Sequence, residues 1–372
     1  MSGSLQIARL FGIPVQLHWS FCFVVLFILY MGFEKNMGAG QLLWLSLAAL
    51  GLFVSILLHE FGHALTARRY GVETKDIILL PIGGLARLTK LPEQPFQEFV
   101  VAIAGPCVNV ALSLLLSPYL FLVLVPGLED RPLPTPDSLI GDFFFFVPFM
   151  FSMNVGLAIF NLLPAFPMDG GRVLRALLAI KLGRFRATQI AVVLGQLIAT
   201  AMMCYGVWSN NYSYAFIGIF IFFTASKEFR WVKTERVLKQ AKTGSVARTD
   251  FTKLYRNTSM QVPYSLLLRN QERHFLVFDE QDHQVIGTLS EGDILKGLKA
   301  GSPDAMVSAF YTKGLETVET ESDLKTANDK MRSSGTDILA VMDKGELVGV
   351  VDADMIQHYL KLRHRLPAIG AG

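Results

Sequence analysis

Apolar residues dominate the chain in long runs up to about residue 230, and charged residues become frequent only beyond that point. Six of these runs are long enough to form helices that cross a bilayer, because about 20 helical residues span its hydrocarbon core of roughly 30 Å. The pattern therefore predicts a polytopic α-helical membrane protein. The six predicted transmembrane helices are residues 14–33, 42–67, 98–126, 143–165, 188–208 and 212–231.

The chain after the last apolar run has a different pattern, in which short strands alternate with amphipathic helices. Two segments of it are similar to each other, "FLVFDEQDHQVIGTLSEGDIL" from Phe275 and "ILAVMDKGELVGVVDADMI" from Ile338. This internal repeat of strand, turn, strand and helix predicts a C-terminal α/β domain with two similar halves. We divide the chain into a membrane domain (1–232), a linker (233–246), the two-repeat domain (247–362) and a tail (363–372).

The distribution of charged residues predicts how the spans are oriented in the membrane. The net charge is only +3, and the basic residues form no single patch, which argues against nucleic acid as a partner. They concentrate after the second and fourth predicted spans and at the end of the sixth. By the positive-inside rule, both termini are predicted to be cytoplasmic. We expect a multi-pass protein in contact with membrane lipids, in a bacterial inner or cell membrane.

The second apolar run ends in a motif that does not suit a lipid-facing helix, "HEFGH", with His59, Glu60 and His63. Histidines four residues apart lie on the same helix face, one turn apart, and both can reach one metal ion. The glutamate lies close enough to take a proton from a metal-bound water. Ionisable residues inside a membrane are costly and usually functional, so a metal site is favoured over a polar cluster without metal.

A catalytic zinc ion needs a third protein ligand and one open position. The best candidate is Asp169 in "NLLPAFPMDGGRVLRALL", which we place at the cytoplasmic end of the fourth span, level with the histidines. Prolines in this segment break the helix, and Gly170 and Gly171 loosen the backbone, so the carboxylate can turn toward a neighbouring helix. The alternative is an ordinary helix end without a ligand.

Together the two motifs resemble those of the site-2 proteases, which are intramembrane zinc metalloproteases. The chain also contains "GIPVQLHW" near its start and "AGP" followed by an asparagine, as similar members do. The resemblance implies that His59, His63 and Asp169 bind one zinc ion per chain and that Glu60 is the general base and acid. It also implies that Asn161 holds the substrate backbone or the developing oxyanion; ordinary interhelical packing is the alternative for Asn161.

The segment "VETKDIILLPIGGLARLTK" joins the second and third predicted spans. Its alternating and β-branched residues flank Gly83 and Gly84, as in a turn or a re-entrant hairpin. An exposed strand edge there could replace the helical hydrogen bonds that a transmembrane substrate must give up. We therefore include Gly83 and Gly84 among the substrate-binding residues; a simple connecting loop is the alternative.

The C-terminal repeats resemble a pair of cystathionine-β-synthase-type (CBS) modules, and the first is degenerate because its first helix is short. In such modules a Ser or Thr, with an Asp three positions later, often contacts adenosine nucleotides. The first repeat has this pair as Ser290 and Asp293, whereas the second has Asp352 at the hydroxyl position. The resemblance implies a regulatory domain that could bind ATP or another adenine nucleotide and could support a homodimer.

The expected function is regulated intramembrane proteolysis, in which Glu60 activates a zinc-bound water to hydrolyse peptide bonds in transmembrane or juxtamembrane segments. By family analogy, the substrate is a membrane protein such as an anti-sigma factor or a membrane-bound regulator. The alternative function is a non-catalytic zinc-binding membrane receptor or transporter. Glu60 separates the two, because a transport site does not need a base beside its first ligand.

Overall fold

The computed structural model describes residues 3–81, 83–89, 94–123, 139–269, 271–281, 284–299 and 305–365. The chain forms two compact units, Met1–Arg230 and Trp231–Gly372. The elements of the first unit are β1 (Ser4–Leu10), β2 (Ile13–His18), α1 (Cys22–Glu34), α2 (Ala39–Arg69), β3 (Thr74–Leu80), β4 (Gly83–Leu88), α3 (Pro95–Val123), α4 (Leu139–Asn161), α5 (Asp169–Trp208) and α6 (Tyr212–Gln240), which continues into the second unit.

Strands β1 to β4 form a four-stranded sheet in the order β1-β2-β3-β4. Strand β2 runs parallel to β3, while β1 with β2 and β3 with β4 are antiparallel hairpins. Ile13, Val15 and Ile77 from the sheet pack with Phe61 and Ala64 of α2 in one buried cluster. The sheet therefore lies against the part of α2 that carries the HEFGH motif.

The first predicted span, residues 14–33, is wrong at its beginning. Residues 13–18 form β2, and the helix α1 starts only at Cys22. Apolar residues at positions 13, 15 and 17 alternate with Pro14, Gln16 and His18. This period of two places one set of side chains on the buried face of a strand, as the full burial of Val15 shows.

Three helices within the described residues are long and apolar enough to cross a membrane: α2, residues Pro95–Leu120 of α3, and α5. Two shorter apolar helical stretches, Trp19–Glu34 and Phe146–Asn161, correspond to the first and fourth predicted spans. The sixth predicted span lies within the helix α6. The count of six spans stays a prediction. Residues 124–126 of the third span, and 366–372 of the predicted tail, lie outside the described residues.

The prediction that Asp169 lies at the end of the fourth span is wrong, because Asp169 is the first residue of α5. Helix α4 ends at Asn161, and an irregular turn containing Pro164 and Pro167 leads into the next helix. Proline cannot donate a backbone hydrogen bond, which explains why α4 stops here. Helix α5 is interrupted at Gly183, where φ is 75° and ψ is 157°, so its first 14 residues form a separate helical segment.

A buried ion-pair cluster links α3, α5 and α6. The Arg175 side chain of α5 is fully buried, and its guanidinium donates hydrogen bonds to Glu98 of α3 and, over 2.6 Å, to Glu228 of α6. The same guanidinium lies 5.0 Å from the centre of the Phe166 ring, in the turn before Asp169. The cluster thus connects three helices to the segment that carries the predicted metal ligand.

The second unit contains two small sheets with helices. Its elements are β5 (Lys253–Tyr255), α7 (Gln261–Leu268), β6 (Phe275–Phe278), β7 (Val285–Leu289), α8 (Glu291–Lys299), β8 (Thr312–Lys313), β9 (Thr317–Glu319), α9 (Leu324–Ser334), β10 (Ile338–Asp343), β11 (Glu346–Asp352) and α10 (Ala353–Arg365). The sheet orders are β5-β6-β7-β8 and β11-β10-β9. Residues of β6 and β10 share one buried cluster, which joins the two repeats.

Candidate metal centre and active site

The structure brings His59, His63 and Asp169 together in a buried cluster. His59 Nε2 lies 3.1 Å from Asp169 Oδ2 and 3.1 Å from His63 Nε2, and His63 Nε2 lies 3.0 Å from the same carboxylate oxygen. Ligand atoms at 2.0–2.1 Å around a tetrahedral zinc ion are separated by roughly 3.3 Å. The three atoms are therefore spaced as a zinc ion requires, and two imidazoles with one carboxylate are a donor set that suits zinc.

Backbone geometry allows this convergence. The histidines are four residues apart on α2, and Asp169 comes from the first turn of α5. Helix α3 passes the cluster at Gly105, where an added Cβ would lie 2.7 Å from His59 Nε2 and 2.5 Å from His63 Cε1. Real Cβ atoms essentially never come so close to other heavy atoms. Only glycine fits at this position while both imidazoles remain in place.

The second ring nitrogen of each histidine has its own partner. His59 Nδ1 lies 2.6 Å from Asn109 Oδ1, and His63 Nδ1 lies 2.8 Å from the backbone oxygen of Val101. A metal-binding histidine usually donates its other N–H to such an acceptor, which orients the ring and leaves Nε2 for the ion. The sequence did not reveal Val101, because a backbone oxygen leaves no trace in residue type. Asn109 was visible in the sequence as the asparagine that follows "AGP", but without a role.

Glu60 lies between the cluster and the sheet. Its Oε2 accepts a hydrogen bond of 3.0 Å from the backbone N–H of Ala86 in β4. Gly84, two residues earlier, passes so close that an added Cβ would lie 2.5 Å from Glu60 Cγ. Gly83 begins β4 with φ at 141°, a backbone conformation that favours glycine. The two predicted glycines therefore belong to the strand that contacts Glu60.

Asn161 is not joined to the metal cluster by any hydrogen bond recorded among the described residues. Its Nδ2 donates to the backbone oxygen of Leu157, 3.0 Å away in the same helix. This bond leaves the side chain half-buried at the end of α4. The substrate-binding role of Asn161 stays a prediction.

In the second unit, Ser290 and Asp293 bond to each other at the start of α8. Ser290 Oγ donates to Asp293 Oδ2 over 2.7 Å, and Lys296 Nζ donates to Asp293 Oδ1 over 3.1 Å. Partial burial raises the pKa of Asp293, but the hydrogen bonds from Ser290 and Lys296 outweigh it and hold the pKa below its ordinary value. The pair acts as a helix cap. Its contact with a nucleotide stays a prediction.

A cleft of about 720 Å³ lies elsewhere in the same unit. Arg248, Glu272, Asp352, Asp354 and Tyr359 are among the residues that line it. The Arg248 Nη2 atom lies 3.7 Å from Asp352 Oδ2, so oppositely charged groups face each other inside the cleft. The predicted nucleotide-binding pair of the first repeat does not line this cleft.

Comparisons with known proteins agree with the two-part architecture. The model of Peptidase family M50 matches residues 47–132 and 135–204, and the CBS domain model matches residues 244–300 and 307–361. The chain is 31% identical to the zinc metalloprotease MJ0392 of Methanocaldococcus jannaschii over 353 residues, which cover 94% of each chain. It is 31% identical over 128 residues to stage IV sporulation protein FB of Bacillus subtilis, covering 34% of this chain and 38% of that protein.

Among solved structures, the site-2 protease from Methanocaldococcus jannaschii matches with 32% identity and a TM-score of 0.42, covering 61% of this chain and 95% of that one. A membrane-embedded peptidase with an HExxH helix is the class that the fold and the comparisons define. The chain belongs to peptidase family M50, the site-2 proteases, and carries a CBS domain pair. The predicted family and the predicted repeat are thereby confirmed.

Proposed function

We propose that the protein hydrolyses peptide bonds in transmembrane or juxtamembrane segments of membrane proteins, with His59, His63 and Asp169 holding one zinc ion. The observation that carries this proposal is the position of Glu60, one residue from the first ligand and hydrogen-bonded to strand β4. A base beside a metal and beside a strand edge is an arrangement for hydrolysis of an extended peptide.

Strand β4 provides the docking edge. It lies at one end of its sheet and pairs only with β3 among the strands described. The N–H of Ala86 points away from β3, because it bonds to Glu60. Residues two apart in a strand face the same way, so the polar backbone groups of Gly84 also face outward. A substrate segment added as a fifth strand would lie along these groups, beside Glu60.

Peptide hydrolysis at this site would need a contribution from the zinc ion and a separate one from Glu60. A zinc ion in such a site lowers the pKa of water and polarises a carbonyl group. Oε2 of Glu60 is held by the Ala86 N–H, which leaves Oε1 to accept a proton from the attacking water. The same carboxyl group then delivers that proton to the departing amine. The products are one carboxyl-terminal and one amino-terminal fragment, with one water consumed.

The substrate is a membrane protein, such as an anti-sigma factor or a membrane-bound regulator. The site lies at the end of α2 that precedes Arg68 and Arg69, which supports a location near the cytoplasmic surface, where water is available. The same rule supports a multi-pass topology of six spans with both termini in the cytoplasm, in a bacterial inner or cell membrane. Hydrolysis at this depth would release the cytoplasmic part of the substrate.

The CBS pair is proposed to regulate cleavage and could mediate a homodimer. An adenine nucleotide such as ATP would contact Ser290 and Asp293 after their mutual hydrogen bond opens. Cleavage by the full chain, and by Ser290→Ala, is measured with and without ATP. A response to ATP that is equal in both proteins would remove Ser290 from the nucleotide site.

The test of the proposed function is Glu60→Gln. Glutamine keeps the size of the side chain but cannot take the proton, so the purified variant is expected to retain one zinc per chain and lose cleavage of a model transmembrane substrate. Asp169→Ala is expected to lose zinc together with activity, because two histidines alone hold zinc poorly. Unchanged cleavage by Glu60→Gln would remove this mechanism. A wild-type protein that holds zinc but cleaves no membrane substrate would favour the receptor or transporter.

A further inference from the structure

A chain of buried polar side chains extends from His59 into the apolar core. Asn109 Nδ2 of α3 donates to Asn154 Oδ1 of α4 over 3.0 Å. Asn154 Nδ2 in turn donates to Ser55 Oγ of α2 over 3.2 Å and to the backbone oxygen of Met150 over 2.9 Å. Asn109 is fully buried, and Asn154 is only 2% exposed. Hydrogen bonds of this kind help to hold membrane helices together, and this series also ends on a ring nitrogen of the candidate ligand His59.

The hydrogen-bond partners of Asn154 fix the orientation of its amide group. The carbonyl of Met150 can only accept a hydrogen bond, so the Asn154 group that faces it must be the NH₂. Ser55 Oγ donates to the backbone oxygen of Gly51 over 3.0 Å, and therefore also presents a lone pair to Asn154. Two independent acceptors thus set the orientation of the Asn154 amide, with its oxygen toward Asn109.

This orientation is passed on to the histidine. Because Asn154 presents an oxygen, Asn109 must turn its NH₂ group toward it and its own Oδ1 toward His59. An acceptor at 2.6 Å from Nδ1 places the imidazole proton on that nitrogen. The lone pair then lies on Nε2, which faces Asp169 and His63. Every donor in this series of hydrogen bonds therefore points the same way, from His59 toward the backbone oxygen of Gly51.

We propose that Asn154, acting through Asn109, is a positioning residue that fixes the tautomer of His59 for zinc binding. The inference rests on the zinc site proposed above and deepens it. If Asn109 flipped, its NH₂ would face Nδ1, the imidazole proton would move to Nε2, and the nitrogen required by the ion would carry a hydrogen. Asn154 makes that flip unfavourable, because two amide oxygens would then face each other without a proton in a buried site.

The decisive experiment measures zinc affinity of the purified full-length protein by competition with a chromophoric chelator. Asn154→Leu keeps the branched shape of the side chain but removes the amide that orients Asn109. Outer partners of metal ligands typically contribute 10–100-fold to metal affinity, and we expect this variant to bind Zn²⁺ about tenfold more weakly. Ser113→Ala is the matched control, because the Ser113 hydroxyl is buried and bonds to the Asn109 backbone oxygen, not to its side chain. It should leave the zinc affinity unchanged.

A second background separates positioning from packing. Asn109→Asp presents an oxygen to His59 in either orientation, so the role assigned to Asn154 disappears there. When Asn154→Leu is combined with Asn109→Asp, it is expected to cause no further loss of zinc affinity, whereas a general packing defect would lower the affinity equally in both backgrounds. If the leucine variant is not recovered folded, Ser55→Ala, which removes one of the two acceptors, carries the same comparison.

The outcomes are distinct. A tenfold loss that vanishes in the Asn109→Asp background supports the proposal. Equal losses in both backgrounds, or a wild-type affinity in Asn154→Leu, would overturn it while leaving the zinc protease intact. A wild-type protein that binds no Zn²⁺ would instead overturn the proposed function. Loss of membrane-substrate cleavage without any change in zinc affinity would place Asn154 outside the metal site and would also overturn the proposal.

Discussion

Gly105→Ala tests how closely α3 packs against the imidazoles of His59 and His63. The new methyl group would lie 2.5 Å from His63 Cε1, and ordinary van der Waals contact begins at 3.4 Å. His63 Nε2 would lie closer still, so the imidazole must retreat by more than about 0.5 Å to reach even 3.0 Å, and by more than about 0.9 Å to reach ordinary contact. Metal–ligand distances tolerate only about 0.2 Å. We therefore expect the zinc Kd to rise by more than about 100-fold, above the range for outer partners.

The fold should survive this substitution. Alanine is more favourable than glycine in a helix by about 1 kcal/mol, so α3 itself is not weakened. The assay is the zinc content per chain of the purified protein by elemental mass spectrometry, with chelator competition for affinity and circular dichroism for helix content. Gly156→Ala in α4 is the control, because its added methyl group would have no neighbour within 4 Å. It should keep full zinc occupancy.

The result that would refute the reasoning is a folded Gly105→Ala protein with one zinc per chain and wild-type affinity. It would mean that the imidazoles lie elsewhere when the ion is bound. The spacing of His59, His63 and Asp169 would then not describe the metal-loaded site.

Three further predictions address other parts of the molecule. Gly84→Ala should retain zinc but lower kcat, because its methyl group would displace Glu60 and not the ligands; a parallel loss of zinc would contradict this. Arg175→Met should lower the unfolding free energy by about 3–5 kcal/mol, measured by denaturation in detergent, because the buried Glu98 and the partly buried Glu228 lose their partner; adding Glu98→Gln should recover part of the loss. Asp293→Asn should lower the melting temperature of the second unit at pH 7. Because the pKa of Asp293 is lowered in the folded state, its contribution to the free energy of unfolding is fully present above the unfolded pKa of about 3.9 and is lost as the pH falls through the folded value. The melting temperatures of wild type and variant should therefore converge at low pH.

Local spacing made part of the site predictable. Two histidines four residues apart share a helix face whatever the rest of the fold does, so His59 and His63 could be paired from the sequence. The partner Asp169 followed from its motif, but its place did not. The prediction put it at the end of a span, whereas the prolines end that helix early and Asp169 opens the next one.

Other features depend on tertiary packing. The strand β2 was hidden because its residues 14–18 continue directly into an apolar helix, and six residues give few periods from which to distinguish a strand. Asn109 and Asn154 are 45 positions apart, and only the packing of α3 on α4 brings them together. The two repeats, in contrast, were visible because similar segments must form similar units.

The Arg175 cluster also bears on how the protein is assembled in the membrane. Arg175 on α5 pairs with Glu98 on α3 and with Glu228 on α6, so the first pair can form once α3 and α5 are adjacent, whereas Glu228 meets the arginine only when α6 is also in place. Before these contacts form, each helix carries an unpaired charge, which is costly in an apolar environment. The ion-pair cluster is therefore complete only after α6, the last helix of the first unit to be synthesised, brings Glu228 to Arg175. Premature termination before Glu228 would leave the arginine with one carboxylate only, and such truncated chains should be recognised and degraded by membrane quality control.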